Sequence, residues 1–195
     1  GQITFEDTEL SALEGRSLKQ FRHRIQMIFQ DPYASLNPRM TVYDTLAEPL
    51  LLHGLVRKAD VDHAIRELMD NVGLAHAFVR KYPHEFSGGQ RQRIAIGRAL
   101  ATRPEFIVAD EPVSALDVTI QAQILDLLAD LTKEYGLTML FISHDLAVIR
   151  QIADRIAVMY HGKLVEQGST AQVFETPQQD YTRSLLAAIP GANAA

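Results

Sequence analysis

The run Phe86-Ser87-Gly88-Gly89-Gln90-Arg91-Gln92-Arg93 marks a point where a loop enters a helix. Ser87 is a favourable N-cap residue, and the apolar residues that follow it recur at helical spacing. A helix start leaves several N–H groups without partners and carries a partial positive charge, and two glycines allow an oxyanion to approach the backbone. The run therefore predicts an anion-binding helix start, with a simple capped surface helix as the alternative. The apolar positions are Ile94, Ala95, Leu100 and Ala101.

Composition limits the classes of protein to which the chain can belong. Its 195 residues are 47% hydrophobic, carry a net charge of -5 and include no cysteine. This length suits one core, or one core with a subdomain, and the negative charge argues against nucleic acid as the main partner. Without cysteine, disulfides, thiolate zinc sites and cysteine-held iron–sulfur clusters are excluded. The most apolar stretch, residues 46–56, is too short and too interrupted to span a membrane, so we expect any membrane role to come through a partner.

Short apolar segments alternate with helical patterns along the chain. Because apolar strands that are buried on both faces are typical of parallel sheets covered by helices, we predict an α/β fold. Its mainly parallel sheet is interrupted by an inserted helical subdomain and followed by a C-terminal antiparallel hairpin. We place the core at about residues 1–32 and 104–175, the helical subdomain at 33–103 and a tail at 176–195, frayed over its last five residues. Strands are predicted at 24–29, 106–109 and 138–142, helices at about 41–53, 59–72, 75–81 and 118–135, and hairpin strands at 155–160 and 163–167.

Polar side chains follow two of the predicted buried strands. Asp110 and Glu111 end one strand, at the edge of the sheet where ligands bind in open α/β folds. A carboxylate there can hold Mg²⁺, and its neighbour can orient or deprotonate an attacking water, although Asp-Glu-Pro can also simply turn the chain. Gln30 ends the first strand and could touch a metal-bound water, with a surface amide as the alternative.

Other candidate residues have structural alternatives of equal simplicity. His144 follows the next strand and could bind a phosphate oxygen or water, or could only enter a helix that Asp145 caps. Asp117 could contact a ligand or cap the helix that follows it. Arg91 and Arg93 could face phosphate, but we expect them to solvate the exposed side of their helix.

Taken together, these motifs occur in an order that resembles the nucleotide-binding domain of ATP-binding-cassette (ABC) proteins, from Gln30 onward. The resemblance implies a core like that of the P-loop NTPases, with ATP and Mg²⁺ as cofactors. Ser87, Gly88, Gly89 and Gln90 resemble the signature motif, Phe106–Glu111 the Walker B strand, Ser114–Asp117 the D-loop, His144 the switch histidine and Gln30 the Q-loop glutamine. By this resemblance, Glu111 and His144 are catalytic, Asp110 and Gln30 hold the metal, and Gln30, Ser87, Gly88, Gly89, Gln90 and Asp117 contact the nucleotide.

Two further stretches resemble the ATPase subunits of bacterial dipeptide and oligopeptide importers. They are Gln30–Arg39, and Thr176-Pro177 followed by Tyr181–Leu186. Glutathione and nickel importers share these features. The resemblance implies a second ABC ATPase subunit, transmembrane permease subunits and, indirectly, a substrate-binding protein as partners, with no nucleic acid. It also implies a peripheral location on the cytoplasmic face of the plasma membrane.

The phosphate cradle of the family, Gly-x-x-x-x-Gly-Lys-Ser/Thr, does not occur in the sequence. Its one Gly-Lys pair, Gly162-Lys163, lies inside the predicted hairpin, and Gly1–Phe5 resembles the strand after the P-loop helix. We therefore interpret the sequence as N-terminally truncated and expect the chain alone to be inactive as an ATPase. Two alternatives are a non-catalytic partner that carries the signature motif, and a soluble ABC ATPase outside transport.

Overall fold

The computed structural model of the protein describes residues 1–189. The chain divides into two compact units, Gly1–Ile142 and Ser143–Ala195. Residues 190–195, which include the predicted frayed end of the tail, lie outside the described residues. Within residues 1–189, none of the helices has both the length and the apolar character needed to cross a membrane.

The first unit contains most of the predicted strands and helices. Short 3-10 turns connect several of them. Strand β1 lies within Gly1–Phe5, which resembles a strand in the sequence, whereas β2, α1 and α2 were not predicted. In chain order the elements are β1 (Thr4–Phe5), β2 (Thr8–Glu9), α1 (Gly15–Arg22), β3 (Ile25–Ile28), α2 (Pro32–Ser35), α3 (Val42–Leu52), α4 (Val61–Asn71), α5 (Gly88–Leu100), β4 (Phe106–Asp110), α6 (Val118–Tyr135) and β5 (Thr138–Ile142).

Strands β3, β4 and β5 form the predicted parallel sheet, with β4 in the middle. The register pairs Ile28 with Ala109, so that the residues after β3 and β4 emerge at one edge of the sheet. The expectation that the apolar strands are buried on both faces is wrong for β5, where Leu140 is 49% exposed and Ile142 is 42% exposed. The exposed residues alternate along β5 with less exposed ones, so one face of this strand is covered and the other lies in solvent.

Helices α3, α4 and α5 pack together around a core of their own. Leu46, Ile65, Met69 and Ile94 are fully buried there. Gly97 of α5 allows close packing, since a Cβ atom at this position would lie 3.3 Å from a methyl of Leu46. In the sequence these helices lie between β3 and β4, and they belong to the same compact unit as the sheet.

The predicted helix at residues 75–81 is wrong, because this segment contains only a 3-10 turn at His76–Phe78. The carbonyl oxygens of Val79 and Lys81 accept hydrogen bonds from the N–H groups of Tyr43 and Val42, at 2.9 and 3.0 Å. These carbonyls therefore accept the first N–H groups of α3, which have no partner within that helix. The segment lies alongside the start of α3 and does not form a helix of its own.

The second unit contains the predicted antiparallel hairpin. Its strands pair with a bulge at Val158/Met159. The carboxylate of Glu166 accepts hydrogen bonds from the N–H groups of Gln178 and Gln179. The bond from Gln178, with smaller contributions from Thr182 and others, lowers the pKa of Glu166 and ties the last helix to the hairpin. The elements are α7 (Leu146–Ile152), β6 (Arg155–Tyr160), β7 (Lys163–Ser169), α8 (Thr170–Glu175) and α9 (Asp180–Ala187).

Candidate functional site

Ser87 caps helix α5, as the sequence predicts. Its Oγ accepts the N–H of Gln90 at 3.3 Å, and its own N–H donates to Oε1 of Gln90 at 3.1 Å. This reciprocal arrangement is a capping box. Because Oγ acts only as an acceptor in these bonds, the hydroxyl hydrogen of the exposed Ser87 can still be donated outward.

The two glycines after Ser87 have a packing role that the sequence did not reveal. A Cβ atom on Gly89 would lie 2.4 Å from Cγ2 of Ile120, and one on Gly88 would lie 3.2 Å from Cδ2 of Leu116. Real Cβ atoms essentially never approach another atom as closely as 2.4 Å, so Gly89 lets α5 contact the first turn of α6. The start of α5 is therefore held against the segment that follows Glu111.

The arginines of α5 do not lie on a solvated face. Arg91 donates from Nη1 to the carbonyl of Phe86 at 2.6 Å, and Arg93 donates to the carbonyl of Val72 at 2.8 Å. Both side chains are half-buried. The interpretation that they only solvate the helix is wrong, because long side chains on a packed helix can satisfy carbonyls on neighbouring segments. Composition alone gives no signal for such bonds.

The structure brings Gln30 and Glu111 together at the edge of the sheet. Nε2 of Gln30 donates to Oε2 of Glu111 at 3.0 Å, across the neighbouring strands β3 and β4. The backbone of Glu111 is left-handed, with φ at 44°, and its N–H donates to the carbonyl of Ile142 at 2.9 Å. A left-handed conformation costs about 1 kcal/mol or more for such a residue and is concentrated at functional sites.

Asp110 is the last residue of β4 and is half-buried. Among residues 1–189, no group of three or more histidine, aspartate or glutamate side chains could hold a metal ion by itself. The carboxylate of Asp110 and the amide oxygen of Gln30 are hard oxygen donors, which suit Mg²⁺. Magnesium commonly completes its shell with water and phosphate oxygens, so a site with few protein ligands fits this ion.

The segment between β4 and α6 is ordered by hydrogen bonds at both ends. Asp117 caps α6 as predicted, with Oδ1 accepting the N–H of Ile120 at 3.0 Å. Gln121, which sequence reasoning missed, donates from Nε2 to the carbonyls of Val113 and Leu116 at 3.0 and 3.1 Å. The side chain of Ser114 donates to the carbonyl of Glu111 at 3.1 Å. The predicted D-loop is therefore a fixed turn.

His144 belongs to the second unit, where it is exposed between the end of β5 and helix α7. Its neighbour Asp145 caps α7 as predicted, because Oδ1 accepts the N–H of Ala147 at 2.8 Å and that of Val148 at 3.4 Å. The catalytic role of His144 stays a prediction.

Comparison with known proteins gives consistent results. The protein-family model described as "ABC transporter" matches residues 1–114. The oligopeptide transport ATP-binding protein OppF of Streptococcus mutans is 56% identical over 191 residues, which are 97% of this chain and 62% of that protein. The glutathione import ATP-binding protein GsiA of Pectobacterium atrosepticum is 52% identical over 193 residues, which are 99% of this chain and 31% of that protein. The chain thus spans between about one third and just under two thirds of the length of these curated relatives.

Solved structures of ATP-binding cassettes have the same fold. The dimeric, post-hydrolysis state of the cassette MJ0796, bound to ADP and Pi, matches with a TM-score of 0.76 at 29% identity over 87% of this chain and 73% of that chain. The protein cbiO1 from Clostridium perfringens, part of the ABC transporter complex cbiONQ, matches with a TM-score of 0.77 at 25% identity over 96% of this chain and 72% of that chain. The chain belongs to the ABC transporter family, and its fold is that of the ATP-binding cassette.

Proposed function

We propose that the chain is part of the ATP-hydrolysing subunit of a bacterial importer for peptides or a similarly small cargo, such as glutathione or nickel. The observation that carries this proposal is the hydrogen bond from Gln30 to Glu111 at the sheet edge, 3.0 Å long, which holds a carboxylate beside Asp110. The names of the relatives, oligopeptide transport and glutathione import ATP-binding proteins, support the importer class.

The residues at the sheet edge have distinct roles in this proposal. Bound ATP with Mg²⁺ would supply the phosphoryl group and neutralise the charge that develops during its transfer. Asp110 and the amide oxygen of Gln30 would hold the metal. Glu111 accepts the proton of the attacking water, in an orientation that the amide of Gln30 fixes. His144 donates a hydrogen bond to a phosphate oxygen.

The start of α5 acts on a nucleotide that a second ATPase subunit holds. The Ser87 hydroxyl and the backbone around Gly88, Gly89 and Gln90 face the phosphates of that nucleotide, and Asp117 lies in the segment that packs beside them. The chain itself has no Gly-x-x-x-x-Gly-Lys-Ser/Thr sequence, so it lacks the backbone cradle and the lysine that bind phosphates. We expect it to hydrolyse no ATP alone.

The helical part of the chain provides the contact with the membrane subunits. The segment Gln30–His53 would dock on a cytoplasmic loop of a permease subunit, whose cargo is delivered by a substrate-binding protein. A cleft of about 450 Å³ borders this segment, with an apolar floor at Ile65 and Met69 and charged residues at its rim. Such a surface suits an amphipathic helix. In this proposal the subunit lies peripherally on the cytoplasmic face of the membrane. The rim includes Asp62, Arg66 and Arg80.

A phosphate-release assay tests the proposal in two steps. The chain with ATP and Mg²⁺ should show no turnover, and a turnover that Glu111→Gln abolishes would contradict this. The chain is then mixed with an intact oligopeptide ATP-binding relative whose own signature serine has been replaced by arginine. We expect the chain to raise the turnover of the mixture. Ser87→Arg should reduce this increase about a hundredfold, because a donor to the transferred phosphoryl group is lost. Ser17→Arg, on α1, is the matched control and should keep it.

A further inference from the structure

Helix α5 holds helix α2 at two points. Arg91 and Arg98 are seven residues apart, which is close to two helical turns, so their side chains leave the same face of α5. The guanidinium carbon of Arg91 lies 5.4 Å from the ring centroid of Tyr33, in α2. Nη1 of Arg98 donates to the carbonyl of Ser35, the last residue of α2, at 2.6 Å.

Helix α2 is a single turn whose N-cap residue, Asp31, directly follows Gln30. Oδ1 of Asp31 accepts the N–H groups of Tyr33 and Ala34, at 2.8 and 3.3 Å, and Pro32 at the first helical position is buried. The N–H of Ser35 donates to the carbonyl of Asp31 at 3.0 Å. Since these bonds span the whole turn, a force applied at Ser35 reaches the residue next to Gln30.

The two arginines differ in their surroundings on the α5 side. Arg91 also donates to the carbonyl of Phe86, the residue before Ser87, at 2.6 Å. Burial lowers the pKa of Arg98, and Glu48 of α3 opposes this effect. A partly buried guanidinium is costly to leave without an acceptor, so the bond to Ser35 should persist when α5 moves.

We propose that Arg91 and Arg98 are positioning residues that fix α2 to α5, so that a displacement of the Ser87 end of α5 changes the hydrogen bond between Gln30 and Glu111. The two sides of that bond have separate anchors, because the backbone of Glu111 is bonded to Ile142 while Gln30 adjoins α2. The inference rests on the proposed function in one respect, since it takes the Ser87 end to be the part that meets a nucleotide.

The direct test measures the side-chain amide signals of Gln30 by NMR in the nucleotide-free chain. Ser87→Ala removes the capping bond to Gln90 and loosens the start of α5. We expect this change to shift the Gln30 signals in the parent chain, and the shift to fall at least about twofold when Arg91→Met and Arg98→Met are also present. Arg93→Met is the matched control, because Arg93 makes the same kind of bond to Val72 and should leave the response intact.

Amide hydrogen exchange gives a second, independent measurement. The amide of Leu36, which donates to the carbonyl of Pro32, should exchange about tenfold faster in Arg98→Met, as expected for the loss of a hydrogen bond from a charged group. Arg98→Lys keeps a charged donor and should restore part of the protection. If the arginine double variant does not fold, the Leu36 exchange measured in the single variant Arg98→Met still tests the inference.

An unchanged Gln30 response to Ser87→Ala in the arginine double variant would overturn the inference, as would equal Leu36 exchange in Arg98→Met and Arg93→Met. Because both measurements are made without nucleotide, they remain decisive even if the phosphate-release assay contradicts the proposed function. If instead the phosphate-release assay succeeds while the Gln30 response is unchanged, only the role of the arginines is wrong.

Discussion

The helical segment from α3 to α5 and the three-stranded sheet differ in how they bury their apolar residues. In the helical segment Leu46, Met69 and Ile94 are completely buried. In the sheet, Ile107 of the central strand is buried, while Leu140 of β5 is 49% exposed. The helices therefore form a closed core, whereas the sheet is packed well at β4 and only on one side at β5. Substitutions in the two regions should therefore differ in how much they lower the free energy of unfolding.

The largest effect is expected where α5 meets α6. Gly89→Ala places a Cβ atom 2.4 Å from Ile120, and relieving this overlap should lower the free energy of unfolding by about 3 kcal/mol. Urea denaturation measures the change. Gly88→Ala, with a nearest contact of 3.2 Å, should cost about 1 kcal/mol.

The partner residue provides a check on this explanation. In an Ile120→Ala background the contacting methyl is absent, so adding Gly89→Ala should cost less than it does in the parent chain. Equal costs in the two backgrounds would show that contact with Ile120 is not the cause.

An intermediate effect is expected at the border between the two regions, where the rings of His53, after α3, and His23, after α1, lie 5.7 Å apart. Burial, followed by the charges of His23 and Lys19, lowers the pKa of His53 from its ordinary value of 6.5. The unfolded chain therefore binds a proton more readily than the folded chain does, and the free energy of unfolding should fall as the pH drops below 6.5. We expect a loss of less than about 1 kcal/mol, because the ring is partly exposed.

Chemical denaturation between neutral and mildly acidic pH measures this dependence. His53→Gln should flatten it, since the glutamine does not titrate. His63→Gln, at an exposed position of α4, is the control and should leave the slope as it is. A slope that survives His53→Gln would assign the pH dependence to other groups.

The smallest effect is expected in β5. Leu140→Thr should change the free energy of unfolding by less than about 0.5 kcal/mol, because the side chain is half in solvent and threonine suits a strand. Ile107→Thr makes a similar change at a position with 1% exposure and should cost about 2 kcal/mol or more. Similar costs at the two positions, measured in urea, would remove the distinction between the closed and the open region.

Local chemistry explains which parts of the fold could be predicted from the sequence. The caps at Ser87, Asp117 and Asp145 were predictable because a capping bond joins residues only two or three positions apart. The parallel sheet and the hairpin followed from apolar runs and turn residues. The exposure of β5 could not be predicted in this way. An apolar sequence shows that a strand can be buried, but it does not show which neighbouring element covers the strand.

Long-range contacts explain what was missed at the site. Arg98 and Ser35 are 63 positions apart, and Gln30 and Glu111 are 81 apart, so neither bond has a local pattern. The second pair was anticipated only as two members of a family motif. The backbone strain at Glu111 also had no signal, because glutamate has no preference for left-handed conformations.

The two hydrogen bonds from Gln121 to the carbonyls of Val113 and Leu116 have a thermodynamic consequence for assembly. Ordering a flexible loop costs about 1–2 kcal/mol of conformational entropy for each residue that is fixed. In this chain the entropy is lost when the protein folds and not when a partner binds, since Gln121 and the cap at Asp117 already hold the turn. A partner subunit that contacts Ser114 or Asp117 therefore meets a preorganised surface, and more of the contact energy remains available for binding.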